Sequence, residues 1–65
     1  MMNNKLRELR KAQGYSLSFV AEKLGFKHPS GYANIEYGFN RLRLDQAQQL
    51  AELFNVSIEE LVKEV

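Results

Sequence analysis

The chain has 65 residues, a length that suits one domain over residues 1–65 with one hydrophobic core and leaves little room for a catalytic cleft. It has no cysteine, which excludes disulfides and thiolate metal sites, and no apolar run approaches the ~20 residues of a membrane span, so we expect a cytoplasmic protein without a signal peptide. The net charge is +1, but residues 1–43 carry +5 and residues 44–65 carry −4, so one end suits a polyanion and the other must face away from it.

Hydrophobic periodicity predicts five short helices with tight connections, and no stretch alternates cleanly with the period of a β-strand. The first helix is predicted over residues 5–13. Asn3 or Asn4 can cap its start, and Gly14 can end it in the left-handed conformation. Its apolar face holds Leu6 and Leu9, with Ala12 as a smaller contact.

The second helix is predicted over residues 17–24, with Ser16 as its N-cap and Gly25 directly after its last turn. Four of its apolar residues are spaced at i, i+3, i+4 and i+7, a pattern that predicts one buried stripe. These residues are Leu17, Val20, Ala21 and Leu24.

The third helix is predicted between Pro29 and Tyr37, and Gly38 follows its end. Its start has two interpretations. Pro29 suits the first helical position, where no amide donor is needed, whereas Ser30 could be the N-cap of a helix that begins at Gly31. We favour the start at Pro29. The inward-facing residues of this helix are Tyr32 and Ile35.

The fourth helix is predicted over residues 44–54 and the fifth over residues 58–64. Asn55 suits a left-handed residue at the end of the fourth helix. The segment Ser57-Ile58-Glu59-Glu60 has the pattern of a capping box, which predicts the start of the fifth helix. The apolar stripes of the two helices are Ala47, Leu50, Ala51 and Phe54, and Ile58, Leu61, Val62 and Val65.

The segment Ala21-Glu22-Lys23-Leu24-Gly25 indicates how the second and third helices are joined. A small residue within a helix lets another helix approach closely, and a glycine four residues later permits a sharp turn. Apolar anchors then resume on the next helix, which is typical of a helix-turn-helix unit, here over about residues 17–37. Taken alone, this pattern also occurs in many other helical hairpins.

The wider pattern of residues 5–62 resembles the phage-repressor family of helix-turn-helix proteins, which is also called the Cro type or xenobiotic-response-element type. The resemblance implies an all-α, compact, five-helix, lambda-repressor-like domain whose third helix enters the major groove of DNA. The resembling segments are Leu6-Arg7-Glu8-Leu9-Arg10, Gly14-Tyr15-Ser16, Ala21-Glu22-Lys23-Leu24-Gly25, Ile35-Glu36-Tyr37-Gly38 and the run Leu50-Ala51-Glu52-Leu53-Phe54-Asn55-Val56-Ser57-Ile58-Glu59-Glu60-Leu61.

Carried over by position, this resemblance implies two sets of DNA contacts, one to base edges and one to phosphates. Asn34 is the strongest base-reading residue, because its amide can pair with adenine through two hydrogen bonds. The alternative for Ser30 and Asn34 is an ordinary solvated helix face, and Gly31 either allows close approach to DNA or marks a frayed helix start. The base-reading set is Pro29, Ser30, Gly31 and Asn34. The phosphate-binding set is Ser16, Ser18, Lys27, His28, Tyr37, Asn40, Arg41 and Arg43, the two arginines being the firmest members.

The resemblance also implies a structural ion pair between Arg10 and Glu36, which would join the first helix to the third. Aromatic residues of this chain could suggest base stacking, but several fall at inward positions, so we interpret most of them as core or loop anchors. They are Tyr15, Phe19, Phe26, Tyr32, Phe39 and Phe54.

Three positions depart from the family pattern. The spacing from Gly25 to Tyr32 is one residue longer than usual, which affects the choice of base-reading side chains. Leu17 occupies a position that is often glutamine, so one phosphate contact or one base-supporting contact is expected to be missing. Arg43 replaces the usual Ser or Thr cap of the fourth helix, which predicts a helix start without a side-chain acceptor.

We therefore predict a sequence-specific transcriptional regulator, a repressor or switch protein of bacterial or phage type, that binds a palindromic operator as a homodimer. The alternative is a protein-interaction module of antitoxin or antirepressor type that uses the acidic C-terminal half. Neither an enzyme nor a cofactor or metal site is expected, because one His and no Cys offer no catalytic or ligand constellation. The predicted dimer surface, whose residues could instead only cover the core, is Val56, Ile58, Leu61, Val62 and Val65.

Overall fold

The computed structural model describes residues 4–62, except for the side chain of Val62. Within this range the chain forms five α-helices and no strand. They are α1 (Asn4–Ala12), α2 (Leu17–Lys23), α3 (Pro29–Glu36), α4 (Leu44–Phe54) and α5 (Ile58–Val62). The predicted all-α fold of five helices is confirmed. No helix in this range is long and apolar enough to cross a membrane.

The helix boundaries lie within one residue of the prediction wherever both ends are described. Ser16 caps α2, because its Oγ accepts a hydrogen bond from the backbone N–H of Phe19 at 3.0 Å. α3 begins at Pro29, so the favoured interpretation of its start is confirmed. Asn4 is the first helical residue of α1 and so is not its N-cap, while Asn3, the other predicted cap, lies outside the described residues.

Left-handed residues follow the ends of α2, α3 and α4. Gly25 has φ +86° and Gly38 has φ +87°, a conformation that glycine adopts at no steric cost because it lacks a Cβ. Phe26 N–H donates to the carbonyl of Ala21 at 2.9 Å, which closes the last turn of α2. At the end of α4, Asn55 takes the left-handed conformation with φ 58° and ψ 48°, as predicted.

The starts of α4 and α5 use different acceptors. Arg43, the N-cap of α4, gives no side-chain cap, and instead Gln46 Oε1 accepts from the Arg43 backbone N–H at 2.9 Å. At α5, Glu60 N–H donates to the backbone carbonyl of Ser57 at 3.1 Å. The predicted start of α5 at Ile58 is confirmed. The Glu60 amide, however, donates to the backbone carbonyl of Ser57, as in a tight 3₁₀-type turn, and not to the Ser57 hydroxyl that a capping box would use.

One hydrophobic core joins all five helices. Ala12, in contrast, is exposed, so its predicted core contact is wrong, because the last turn of α1 rotates it away from the other helices. The side chains that are completely buried or nearly so are Leu6, Val20, Ala21, Tyr32, Ile35, Ala47, Leu50, Phe54 and Leu61.

The predicted dimer surface needs one correction. Leu61 is completely buried in the core of the single chain, so it cannot contact a second copy. Val56 and Ile58 are partly buried and pack against the same core. The apolar stripe of α5 therefore packs, at Leu61, against the core of its own chain. The side chains of Val62 and Val65 lie outside the described residues.

Candidate nucleic-acid interface

The N-terminal half of α3 lies on the surface. Pro29 and Ser30 are exposed, while Gly31 and Asn34 are partly exposed. Tyr32 and Ile35 point into the core, so these two residues hold the helix while the opposite side faces solvent. α3 packs mainly against α2 and also against α1. α3, the second helix of the α2–α3 pair, therefore contacts the core on one side only.

Asn34 combines a fixed backbone with a free side chain. Its carbonyl accepts hydrogen bonds from the backbone N–H groups of Phe39, at 2.9 Å, and Asn40, at 3.2 Å. Its side-chain amide forms no hydrogen bond with any of residues 4–62. A primary amide has two donors and one acceptor with two lone pairs, so Asn34 presents unused hydrogen-bonding groups beside the exposed half of α3.

Gly31 has a packing reason that the sequence did not indicate. A Cβ at this position would lie 2.4 Å from Cδ1 of Phe26, closer than real Cβ atoms approach a ring. The glycine therefore makes room for the Phe26 ring, which packs against the core. Close approach to DNA and a frayed helix start, the two interpretations of the sequence, are not needed to explain Gly31.

A shallow groove separates the starts of α2 and α3. Its lining includes five of the predicted contact residues, all of them exposed: Ser16, Ser18, Lys27, His28 and Pro29. The Ser16 Oγ already accepts from Phe19 N–H, but its hydroxyl proton can still be donated. Glu22 also lines the groove, and its carboxylate would repel a phosphate placed next to it.

The segment from 37 to 43 follows α3 and carries the two predicted arginines. Tyr37, Asn40 and Arg41 are exposed. Arg43 is also exposed, but its Nη2 lies 3.2 Å from Oδ2 of Asp45. This guanidinium lowers the pKa of Asp45. Arg41 is therefore the stronger cation for a phosphate, since Arg43 must first give up a partner.

Arg10 and Glu36 form a buried ion pair between α1 and α3. Arg10 Nε donates to Glu36 Oε2 at 2.6 Å, and the two side chains are only 11% and 3% exposed. Arg10 Nη1 also donates to the carbonyl of Tyr15 at 2.9 Å. The hydrogen bond to Glu36 is the main cause that raises the pKa of Arg10. The pair ties the last turn of α3 to α1 and so sets how α3 is presented.

Tyr32 adds a polar group next to this pair. Its hydroxyl is buried and has no hydrogen-bond partner in the part of the chain that the structure describes. Burial, followed by the neighbouring Glu36 carboxylate, raises the pKa of Tyr32 well above its usual value. Both effects disfavour the phenolate, so this side chain is neutral at physiological pH.

Five of the six aromatic residues singled out in the sequence are buried or partly buried, which agrees with the prediction that most of them are anchors. Tyr15 and Phe19 lie 4.7 Å apart between ring centroids and pack against the core, as does Phe26. Phe39, in contrast, is 78% exposed and is the exception to the prediction that most of these rings are anchors. The loop instead reaches the core through Leu42, which is partly buried. Which residue of this loop is buried depends on its contacts with other helices, and a sequence pattern does not contain that information.

No group of three or more His, Cys, Asp or Glu side chains within residues 4–62 is placed to hold a metal ion. His28 is exposed at the start of α3, where it is the N-cap residue without a side-chain cap hydrogen bond. It lies next to Lys27 and Pro29 in the groove between α2 and α3, so its surroundings are those of the proposed interface.

A helix closed by a left-handed glycine, followed by a second helix that is seated on one side and exposed on the other, is the helix-turn-helix arrangement. The family model described as "Helix-turn-helix" matches residues 6–61 of the chain, and the chain belongs to this family. The domain is thus of the class that DNA-binding transcription regulators use, and the predicted fold and family are confirmed.

Among curated proteins, the chain is similar to the "HTH-type transcriptional regulator AnsR" of Bacillus subtilis (strain 168). The two are 39% identical over 59 residues, which cover 91% of this chain and 50% of the relative. The chain thus spans about half the length of that regulator. No solved structure matches the chain.

Proposed function

We propose that this protein binds a specific double-stranded DNA sequence by placing α3 in the major groove and thereby regulates transcription. The observation that carries the proposal is the exposed half of α3, where the Asn34 amide is unpaired while the buried Arg10–Glu36 pair holds the helix from behind. A side chain that reads bases must be rigidly presented and still have free donors and acceptors. The relative's name supports the regulatory part of the proposal.

Base reading is assigned to the exposed residues at the start of α3 together with Asn34. The NH₂ group of the Asn34 amide can donate a hydrogen bond to adenine N7, and the amide oxygen can accept one from adenine N6–H. Ser30 can donate to or accept from several bases and so discriminates less. Pro29 and Gly31 offer apolar or backbone contact alone, and Gly31 is the weakest member because its side-chain direction is filled by Phe26.

Phosphate contacts are assigned to two rims on either side of α3. The first rim is the start of α2 and the turn before α3, with Ser16, Ser18, Lys27 and His28. The second is the segment after α3, with Tyr37, Asn40, Arg41 and Arg43. Phosphate contacts on both sides of a recognition helix fix its register in the groove without reading sequence.

The proposal has two further parts. The regulator is a repressor or switch protein of bacterial or phage type, and it binds a palindromic operator as a homodimer. One short recognition helix reads few base pairs, and a second copy doubles the contacts on half-sites about one helical turn, ~34 Å, apart. Val56 and Ile58 are the described residues of the predicted dimer surface that keep some exposure.

The test is a selection of duplexes from a randomised pool with the purified protein, followed by binding measurements over a range of salt concentrations. We expect the selected duplex to bind about 10³-fold or more tightly than random duplex, with affinity falling steeply as salt rises. Equal affinity for selected and random duplexes would overturn sequence-specific regulation.

A second function is favoured by a different observation, the acidic surface of the C-terminal half. Glu52, Glu59 and Glu60 are exposed, and Asp45 already pairs with one of the interface arginines. Such a surface suits a basic protein partner, as in an antitoxin-like or antirepressor-like module. Failure of the selection to enrich any sequence would favour this alternative.

A further inference from the structure

The most exposed apolar side chains beside α3 are two aromatic rings that the assigned contacts leave largely unused. Phe39 is 78% exposed and Tyr37 is 46% exposed. Their ring centroids lie 6.3 Å apart with an edge-to-face angle of 68°, and we call them the aromatic pair. Two large rings that contact each other in solvent gain little from the core of their own chain, which marks a surface for another molecule.

The aromatic pair is held at a fixed place relative to the proposed base-reading residue. Phe39 N–H donates to the Asn34 carbonyl at 2.9 Å, and Asn40 N–H donates to the same oxygen at 3.2 Å. Gly38, in the left-handed conformation, makes the turn between the two rings. Leu42 then anchors the loop in the core. The backbone that carries the Phe39 ring is therefore fixed directly after α3, in the same loop as the exposed residues Asn40 and Arg41, to which phosphate contacts are assigned.

The charge around the aromatic pair favours a polyanion over a second copy of this chain. Residues 37–43 contain two arginines and no acidic residue, and Arg41 is exposed. A two-fold contact through this patch would place the same surface against itself and bring like charges together. DNA offers phosphates for the arginines and, between them, apolar C–H surface for the rings.

We propose that Phe39, supported edge-on by Tyr37, packs against apolar C–H surface of the DNA duplex and adds an uncharged contact to the interface. The apolar surface is either a deoxyribose ring or the 5-methyl group of a thymine, and both offer the same C–H chemistry to the ring. The inference rests on the proposed function, because it needs α3 to bind duplex DNA.

The test compares Phe39→Ala and Phe39→Leu with the wild-type protein on the duplex that the wild type selects from a randomised pool. We expect Phe39→Ala to weaken binding about fivefold to twentyfold with an unchanged salt slope, because the lost contact carries no charge. Phe39→Leu should recover part of this loss. Leu44→Ala, which removes another exposed apolar side chain, is the matched control and should bind as the wild type does.

A second experiment distinguishes a contact with a thymine methyl group from a contact with deoxyribose. The thymines of the selected duplex are replaced one at a time by deoxyuridine, which removes only the methyl group. A replacement that weakens the wild type but not Phe39→Ala assigns the contact to a thymine methyl, and no such position assigns it to deoxyribose. Both results support the inference.

Three results would overturn it. Phe39→Ala could bind the selected duplex as tightly as the wild type. Leu44→Ala could lose as much affinity as Phe39→Ala, which would indicate unspecific apolar adhesion. Sedimentation could show that Phe39→Ala lowers the mass of the free protein, which would assign the ring to contact between copies. If the wild type selects no duplex at all, the proposed function itself has failed, so the two failures are distinguishable.

Discussion

At the scale of single residues, Asn34 is the side chain on which base recognition depends. Its carbonyl is used by the loop that follows α3, whereas its amide is free within the described residues. Asn34→Ala should cost about 1–3 kcal/mol of binding free energy, mainly at one base position. The measurement is affinity for the selected duplex and for single-base variants of it. An equal loss on selected and random duplexes would refute a base-reading role.

Tyr32 leads to a prediction about alkaline pH. Its pKa in the folded chain is raised above the ordinary value of 10.0 by burial and by Glu36, so the folded state keeps the proton that the unfolded state releases. This contribution to stability is complete below pH 10 and is lost as the pH rises above it. Wild-type unfolding free energy should therefore fall more steeply above this pH than that of Tyr32→Phe.

The measurement is urea unfolding of both proteins between about pH 8 and pH 11, a range that brackets the ordinary tyrosine pKa. At the lower pH, Tyr32→Phe should be as stable as the wild type or more stable, since it removes a buried hydroxyl without a partner. Parallel pH profiles for the two proteins would contradict the prediction.

At the scale of the helices, the Arg10–Glu36 pair determines how α3 is attached to α1. Glu36→Gln removes the charge that balances a buried guanidinium and should destabilise the fold by about 3–5 kcal/mol. A domain of this size has only about 3–10 kcal/mol in total, so the variant should be partly unfolded by circular dichroism.

Two further variants distinguish the effect of breaking the Arg10–Glu36 pair from a general effect of losing a carboxylate. Glu8→Gln changes an exposed residue of α1 and should leave the unfolding free energy nearly unchanged. The double variant Arg10→Met/Glu36→Leu should recover much of the loss, because neither charge is then left buried alone. A Glu36→Gln protein as stable as Glu8→Gln would show that the pair does not hold α3.

The start of α4 indicates a conflict between stability and binding. Arg43 occupies an N-cap position without supplying an acceptor to the helix. Arg43→Ser should stabilise the fold by about 1 kcal/mol through a new cap hydrogen bond. The same change should weaken DNA binding and make its salt dependence shallower, because one interface cation is lost. Arg41→Ser removes a cation outside the cap position and should reproduce the binding effect without the gain in thermal stability.

At the scale of the whole molecule, the charges of the two halves differ in sign, and the basic half carries the exposed half of α3. Arg41→Ala should weaken binding to all duplexes alike and reduce the salt slope by about 1. Lys11→Ala removes another exposed cation, on α1 and outside the proposed interface, and is the matched control. The measurement is the logarithm of affinity against the logarithm of salt concentration. A loss confined to the selected duplex would indicate base reading by Arg41.

Local patterns in the sequence were sufficient to predict the helices and the family. The Ser16 cap, the left-handed Gly14 and Asn55 and the start of α3 at Pro29 all depend on residues within one turn of each other. Backbone conformation at such positions follows from local sterics and local hydrogen bonds, so a single sequence contains the information.

The tertiary structure decided which surfaces are available. It placed Leu61 in the core of its own chain, left Phe39 in solvent, filled the space beside Gly31 with the Phe26 ring and paired Arg43 with Asp45. A helical period shows which residues share a face, but the partner of that face is set by contacts between segments distant along the chain. For this reason the sequence alone determined the helix-turn-helix fold, and only the packing of the five helices determined which side chains remain free to meet DNA.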